Sequence, residues 1–331
     1  MKIYQNIYEQ IISAENLFLA WAEFKKDKQK RKDVMQFEYR LEKNILGLCQ
    51  ELKNQTYKHS PYSNFYITDP KPRHIHKALV RDRVVHHSVF NILNPVFEKT
   101  FIFNSYSCRK NKGTHKGINQ LHKILRKISQ NNHKPCFILK CDIKKFFQSV
   151  NHGILLNIID RKIYDEKALA LIKEIVESFK PGLPIGNLTS QLFANIYLNN
   201  LDQYIKHHLK IPFYIRYTDD FVIIYNDLEK LKQWLSQIQE FLNVNLKLRL
   251  HPNKVILRKY HQGTDFLGYV QFPHYCILRP RTERRIMKRI QQGVSEQSLN
   301  SYLGVLSHAN SYKLSEKIKN LFWFNKKENP S

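Results

Sequence analysis

The chain has 331 residues, 42% hydrophobic and 12% aromatic, with Lys plus Arg 54 against Asp plus Glu 28 and a formal charge of +26. This composition excludes a disordered chain and allows a sizeable core in one large or two to three small domains, while the lack of any run of 18 apolar residues excludes a membrane-spanning helix. So large an excess of cations points to a polyanionic partner, and aromatic faces, although mostly core, stack on bases, so nucleic acid is favoured over a membrane surface.

The five cysteines, Cys49, Cys108, Cys136, Cys141 and Cys276, are scattered, with no CxxC pair and no zinc-type histidine arrangement. They read as reduced, small buried side chains in a reducing, cytoplasmic compartment. Residues 1–24 read as an amphipathic helix with Ile3, Ile7 and Ile11 on its apolar face, interrupted by Gln, Asn and Glu too soon for a signal peptide. Lys25 to Asp33 is a charge run suited to a solvated loop or helix end. Residues 36–52 are again helical, with Phe37, Leu41, Ile45, Leu48 and Leu52 on one side. Residues 57–73 hold three prolines and alternating aromatics, as expected of strands joined by a turn, and residues 78–97 return to helix around Arg81, Asp82 and Arg83.

Lys71, Arg73, Arg81, Arg83 and, further on, Arg109 and Lys110 form a dense set of cations of the kind a triphosphate needs. The other reading of these arginines is pairing with local acids such as Asp69, Asp82 and Glu98. Ser105 to Gly117 is a polar loop with two glycines, followed by a helix through Ile128. Cys136 to Val150 contains an apolar strand that ends at Asp142 and turns into Phe146 and Phe147. Residues 153–178 supply a helical insertion, and residues 181–198 a Gly/Pro loop and a helix capped around Thr189 or Ser190.

Phe213 to Tyr225, FYIRYTDDFVIIY, reads as a β-hairpin with Thr218, Asp219 and Asp220 at its tip. Two ionised carboxylates beside so much Ile, Val, Phe and Tyr are costly unless something positive neutralises them, and hard divalent cations accept oxygen ligands. A Mg²⁺ site answers that cost; a solvated turn is the alternative. Asp142, at its own strand end, is the third acid that a two-metal site needs.

The order of strand-Asp, Gly loop with helix, and hairpin Asp-Asp resembles the palm of a reverse transcriptase. IGNLTSQ (Ile185 to Gln191) with YTDD most closely resembles the reverse transcriptases of diversity-generating retroelements. DPKPR, RDRVVHH, SYSCRKNKGTH, KCDIKKFF, RYTDD and FLGY extend the resemblance through nearly the whole chain. Most relatives, such as group II intron enzymes, carry Gln-Gly and Ser-Pro where this chain has Ile185-Gly186 and Ser190-Gln191. Thr218 replaces a commoner Ala, Val or Met.

The resemblance implies an α+β right-hand polymerase fold with fingers, a palm of antiparallel sheet plus helices, and a short helical thumb. Residues 1–56 would be an N-terminal helical extension, 57–135 the fingers, 136–270 the palm with a helical insertion at 153–180, and 271–331 the thumb. It further implies RNA-directed DNA synthesis with two Mg²⁺ ions, Mn²⁺ being a substitute, held by Asp142, Ile143, Asp219 and Asp220. Lys254 would protonate pyrophosphate, unless it is only a solvated strand-end lysine. Arg73, assisted by Lys71, would hold the nucleotide triphosphate, with Ile185, Gly186 and Gln191 also at the nucleotide. Phe147 falls at the steric gate against a ribose 2′-hydroxyl; a core Phe beside Phe146 is the other reading.

Nucleic acid would meet Arg81, Arg83, Arg109, the turn Phe266, Leu267, Gly268 and Tyr269, and Arg284, Arg285 and Lys288 of the thumb. From Arg279 onward the chain has 11 basic and 4 acidic residues. Implied partners are template RNA, primer or cDNA, dNTPs and a small, basic, oligomeric accessory variability protein, in a bacterial or phage-encoded system with no membrane. Too few residues follow Tyr269 for an RNase H or zinc-type endonuclease domain. Rival readings are a defence-type or other group II-like bacterial reverse transcriptase, and a non-catalytic RNA-binding or maturation factor.

Overall fold

The protein is described here by a computed structural model covering residues 3–69 and 71–328; Pro70, inside the DPKPR stretch, lies outside the described residues. Two compact units emerge from interleaved segments. The first takes the chain through Phe103, then 143–210 and 236–251; the second takes 104–142, 211–235 and the chain from 252 onward.

The first unit is mostly helical. Its opening helix, expected to run unbroken, is two, Tyr8–Ile12 and Ala14–Lys25. Ser13 breaks it with an extended ψ of 142° and caps the second piece by accepting from Asn16 N at 3.2 Å, the local competition that makes Ser a poor helix interior residue. Ile7 and Ile11 are buried as expected, but Ile3 precedes the helix and is exposed. The next helix is also divided, into Lys32–Glu38 and Leu41–Lys53. Asn44 Nδ2 donates at 2.9 Å to the Phe37 carbonyl, which an unbroken helix would offer to residue 41.

Strands β1 (Ser63–Ile67) and β2 (Arg73–Lys77) form an antiparallel hairpin. The helix Val80–Glu98 then runs through the middle of this unit, burying Val84, Val85, Val89 and Leu93 against the helices Ala14–Lys25 and Leu188–Gln203. The expected insertion is present as helices His152–Asp160 and Glu166–Glu177, each with its N-terminal amide taken by a capping side chain, Asn151 and Asp165 respectively. The helix expected to be capped at Thr189 or Ser190 instead starts at Leu188 after Asn187. Asn187 does not cap it: its Nδ2 donates to the His76 carbonyl at 3.1 Å, and its Oδ1 is buried with no hydrogen-bond partner among the described residues.

The second unit holds two antiparallel sheets. Strands β3 (Phe137–Asp142), β4 (Tyr214–Tyr217), β5 (Asp220–Tyr225) and β6 (Ile256–Lys259) lie in the order β4-β5-β3-β6. Strands β7 (Thr264–Phe266), β8 (Tyr269–Gln271) and β9 (Cys276–Leu278) form a meander. One face of the first sheet, bearing Ile138, Ile215, Val222 and Ile224, joins a core with Ile118, Leu121 and Leu125 of the helix Thr114–Ile128, with Phe266 and Tyr269, and with Ile286, Leu299 and Ile318 of the C-terminal helices. Strand alternation puts Lys140, Asp142 and Asp220 on that same face, so the acids emerge where its apolar packing ends. Among the described residues no helix is long and apolar enough to cross a membrane.

Candidate active site

Asp142, the last residue of β3, lies directly opposite Asp220, the first of β5. The pair Tyr217 and Asp220 closes the β4–β5 hairpin, leaving Thr218 and Asp219 as a two-residue turn. Tight hairpin turns demand positive φ, and Thr218 supplies it at 52°, an uncommon conformation for a β-branched residue. Its surroundings over-determine it. Arg216, fully buried, donates from Nη1 to the Thr218 carbonyl at 3.1 Å, and Thr218 Oγ1 donates to Ser107 Oγ at 2.6 Å. The Arg216 backbone is locked as well, its N–H on Asn104 O and its carbonyl taking Tyr106 N–H, both at 2.9 Å. Sequence reasoning missed Arg216 and Ser107 as supports of this turn; the available signal was an arginine inside an otherwise apolar strand.

Each facing acid has a lysine. Lys254 Nζ donates to Asp142 Oδ1 at 2.8 Å, and Lys140 Nζ is 3.5 Å from Asp220 Oδ2. Asp220 Oδ1 is buried and has no hydrogen-bond partner among the described residues. Burial above all pushes the Asp220 carboxyl up to about 7; the charges of Asp142 and Asp219 push the same way, and Lys140 opposes them. Among the described residues no three His, Cys, Asp or Glu side chains form a ready-made ligand group. Asp142 is turned onto Lys254 instead. The donors nevertheless fit a hard divalent cation, because the unpartnered oxygen of Asp220 and the crowded carboxylates are what such an ion would satisfy. Ile143 is buried and bridged to Leu250, so its backbone carbonyl is its only group suited to such an ion.

The first unit carries the residues expected at the nucleotide. Phe146 is core and Phe147 half-buried, their rings 5.4 Å apart and tilted by 64°. The loop behind Phe147 is fitted closely: Leu183 N–H donates to its carbonyl at 2.7 Å, and a Cβ on Gly182, whose φ is 72°, would come within 2.1 Å of the same oxygen. Ile185 is half-buried and its carbonyl accepts from His76 N at 3.1 Å. Gly186 has φ 113°, and a Cβ there would meet Ile75 Cγ2 at 2.9 Å. The IGN segment is thus bound to β2 through backbone and Asn187. Gln191 is exposed on the first helical turn, and Lys71 and Arg73 are exposed at the β1–β2 hairpin.

Several residues expected at nucleic acid turn inward. Arg83 donates from Nε to Ala78 O at 2.8 Å and lies over the Phe24 ring at 5.3 Å. Arg81 pairs with Glu51 and covers the Tyr57 ring at 5.4 Å. Arg83 Nη2 is also 3.9 Å from Asp33 Oδ2, so the acids beside the two arginines are Glu51 and Asp33 rather than Asp69, Asp82 or Glu98. Phe266 and Tyr269 are buried, Tyr269 OH donating to Val305 O at 2.9 Å, so the tip of the β7–β8 hairpin presents Leu267 and Gly268, at φ 52° and 91°. Arg109 Nη1 donates to Ser105 O at 2.8 Å. Arg284 and Lys288 are exposed and Arg285 half-buried on the helix Pro280–Gln291.

An antiparallel sheet whose strand end and hairpin tip bring acids face to face, within a mixed helical chain, defines a polymerase of the right-hand type. In keeping with this, the fold is similar to telomerase from Candida albicans solved with a fragment of telomeric RNA, with a TM-score of 0.53 and 12% identity over 83% of this chain and 56% of that one. Residues 68–271 match the family described as Reverse transcriptase (RNA-dependent DNA polymerase), and the chain belongs to that family; it is an RNA-directed DNA polymerase. Protein YkfC of Escherichia coli (strain K12) is 24% identical, covering 76% of this chain and 77% of its own. The group II intron-encoded protein LtrA of Lactococcus lactis subsp. cremoris is also 24% identical, over 69% of this chain, which spans 49% of LtrA.

Proposed function

We propose that the protein copies a template-repeat RNA into error-prone, adenine-mutagenised cDNA for retroelement-driven sequence diversification. The observation that carries this reading is Ile185, half-buried beside β2 at the place where accurate relatives carry Gln. A Gln amide hydrogen-bonds the nascent pair, so a misplaced nucleotide leaves a buried group unmatched at a cost of about 1–3 kcal/mol; Ile has no such group. Asp142, Asp219 and Asp220, with the Ile143 carbonyl, would hold two Mg²⁺ ions, or Mn²⁺ in their place, which when bound lower the pKa of the primer 3′-hydroxyl and neutralise leaving pyrophosphate. Lys254 is the proton donor to pyrophosphate, in keeping with its reach to Asp142. Arg73 and Lys71 hold the triphosphate, Phe147 excludes the 2′-hydroxyl, and Gly186 and Gln191 border the nucleotide.

Template and primer run along Arg109, Leu267, Gly268, Arg284, Arg285 and Lys288, with fingers, palm and thumb divided at about residues 57, 136 and 271. A small basic accessory protein is the further partner, in the reducing cytoplasm. Similarity to LtrA favours a second reading, an accurate group II-like enzyme.

Sequencing of cDNA from one RNA template separates the two. Ile185→Gln is expected to lower misinsertion opposite adenine by roughly ten- to a hundredfold at comparable extension activity. Equal error rates in wild type and variant would remove this side chain from the control of fidelity, and low error in both would favour the group II-like reading.

A further inference from the structure

We propose that Lys140 is a positioning residue that ties the Asp220 carboxylate to the turn Leu267–Gly268 and to the helix Pro280–Gln291. One lysine thereby sets the acids and the primer-holding turn in a single frame. The proposal rests on the polymerase reading above.

Lys140 sits on β3 two residues before Asp142 and opposite Val222. The neighbours on its face, Ile138, Val222 and Ile224, belong to the core, and its own side chain is only 14% exposed. A cation in that setting is costly unless oxygens converge on it. Two do, from different sheets: the ammonium donates to the Asp265 carbonyl on β7 at 2.7 Å and lies 3.5 Å from Asp220 Oδ2 on β5.

From Asp265 the connection continues outward. Its carboxylate accepts from Arg279 Nε at 2.8 Å and also from Nη2, and the Arg279 backbone N–H donates to Gly268 O at 2.9 Å. Arg279 is also the residue from which the helix Pro280–Gln291 starts. The β7–β8 turn, with two successive positive φ values, is braced on its other flank by Leu267 Cδ1, which would come within 3.0 Å of a Cβ placed on Gly117. A turn so held cannot shift along β5 without breaking the lysine's contact to Asp265 or to Asp220. Placement of reacting groups to a fraction of an ångström is worth large factors in rate, which is why such a brace belongs beside the chemistry.

The test uses the full chain carrying Lys140→Met, a labelled primer–template read by fluorescence anisotropy in EDTA, and steady-state primer extension with Mg²⁺. Expected are a loss of primer–template affinity of about tenfold in EDTA, a matching rise in KM for primer–template, an unchanged KM for dNTP, and restoration of most of the affinity by Lys140→Arg. The slope of log Kd against log salt should not change, since Lys140 neutralises no phosphate; a slope reduced by about one would mean direct backbone contact and overturn the proposal. Primer–template affinity and KM within twofold of wild type would also overturn it. Should Lys140→Met not fold, Arg279→Gln probes the same connection from its outer, half-buried end; a rise in primer–template KM supports the proposal and an unchanged one overturns it. If wild type itself extends no primer, the polymerase reading fails, while the anisotropy arm still judges Lys140.

Discussion

RDRVVHH on the helix Val80–Glu98 and RYTDD on the β4–β5 hairpin are both charge-dense and both bury charge, yet each holds its charge in a different way. On the helix, Asp82 accepts from Tyr57 OH at 2.8 Å, Arg81 pairs with Glu51, and both arginines lie over aromatic rings in regular helical geometry. On the hairpin, like charges crowd one another, the backbone is strained at Thr218, and a carboxyl is pushed far from its ordinary range. Among the described residues a buried oxygen without a hydrogen-bond partner occurs in both, Asp82 Oδ2 and Asp220 Oδ1, so that feature alone does not distinguish them. The backbone does: on the helix the charges sit in regular geometry, whereas on the hairpin the crowded acids are carried by a braced, strained turn, the combination expected of a reaction site.

The largest effect that tests this contrast is loss of chemistry. Asp142→Asn or Asp219→Asn is expected to reduce Mg²⁺-dependent DNA synthesis by about a thousandfold or more, since each removes several kcal/mol of charge that two dications need, with folding retained. A folded variant with near-normal extension, judged by circular dichroism and primer extension together, would break the assignment.

What the sequence disclosed follows the same line. Strand and helix patterns are local, so the β4–β5 hairpin, the strand ending at Asp142 and the helical insertion were all legible. Family motifs carried the acids. The breaks at Ser13 and near Arg40 were hidden because the apolar face continues across them and a single side-chain hydrogen bond decides. Arg81 and Arg83 could not be told from phosphate ligands, because their partners Glu51, Phe24 and Asp33 are set by tertiary packing. Phe266 and Tyr269 were expected at the primer, but strand alternation on either side of a two-residue turn sends both into the core. The bracing by Arg216, Ser107 and Lys140 depends on contacts between residues far apart in the chain, which motif spacing does not encode.

The two regions should also respond oppositely to pH. The folded-state Asp220 carboxyl, near 7, lies above its unfolded value of about 3.9, so the folded chain binds the extra proton and this contribution is present at low pH and lost as pH rises through 7. Asp220→Asn is therefore expected to stabilise the metal-free protein by about 1–3 kcal/mol at pH 8 and by much less at pH 5. His87, pushed down to about 4 by burial and then by Lys28 and Arg83, contributes stability that is full above about 6.5 and lost as pH falls toward 4. Urea melts in EDTA at both pH values measure the difference; equal stabilisation at pH 5 and pH 8 would mean that carboxylate crowding is not what sets the Asp220 environment.

The smallest effect separates packing cations from binding cations. Arg81 is about one-third exposed, and its pairing with Glu51 and its cover over Tyr57 are surface interactions. Arg81→Met is accordingly expected to cost under about 1 kcal/mol of stability and to leave RNA affinity unchanged. Lys288, exposed on the helix Pro280–Gln291, has the reverse expectation. Lys288→Met should leave stability alone, weaken RNA binding, and reduce the slope of log Kd against log salt by about one. Parallel salt titrations of the two variants decide the matter. If Arg81→Met lowered the slope as Lys288→Met is expected to, its guanidinium would have to leave Glu51 when RNA binds, and the RDR stretch would belong with the hairpin as functional charge.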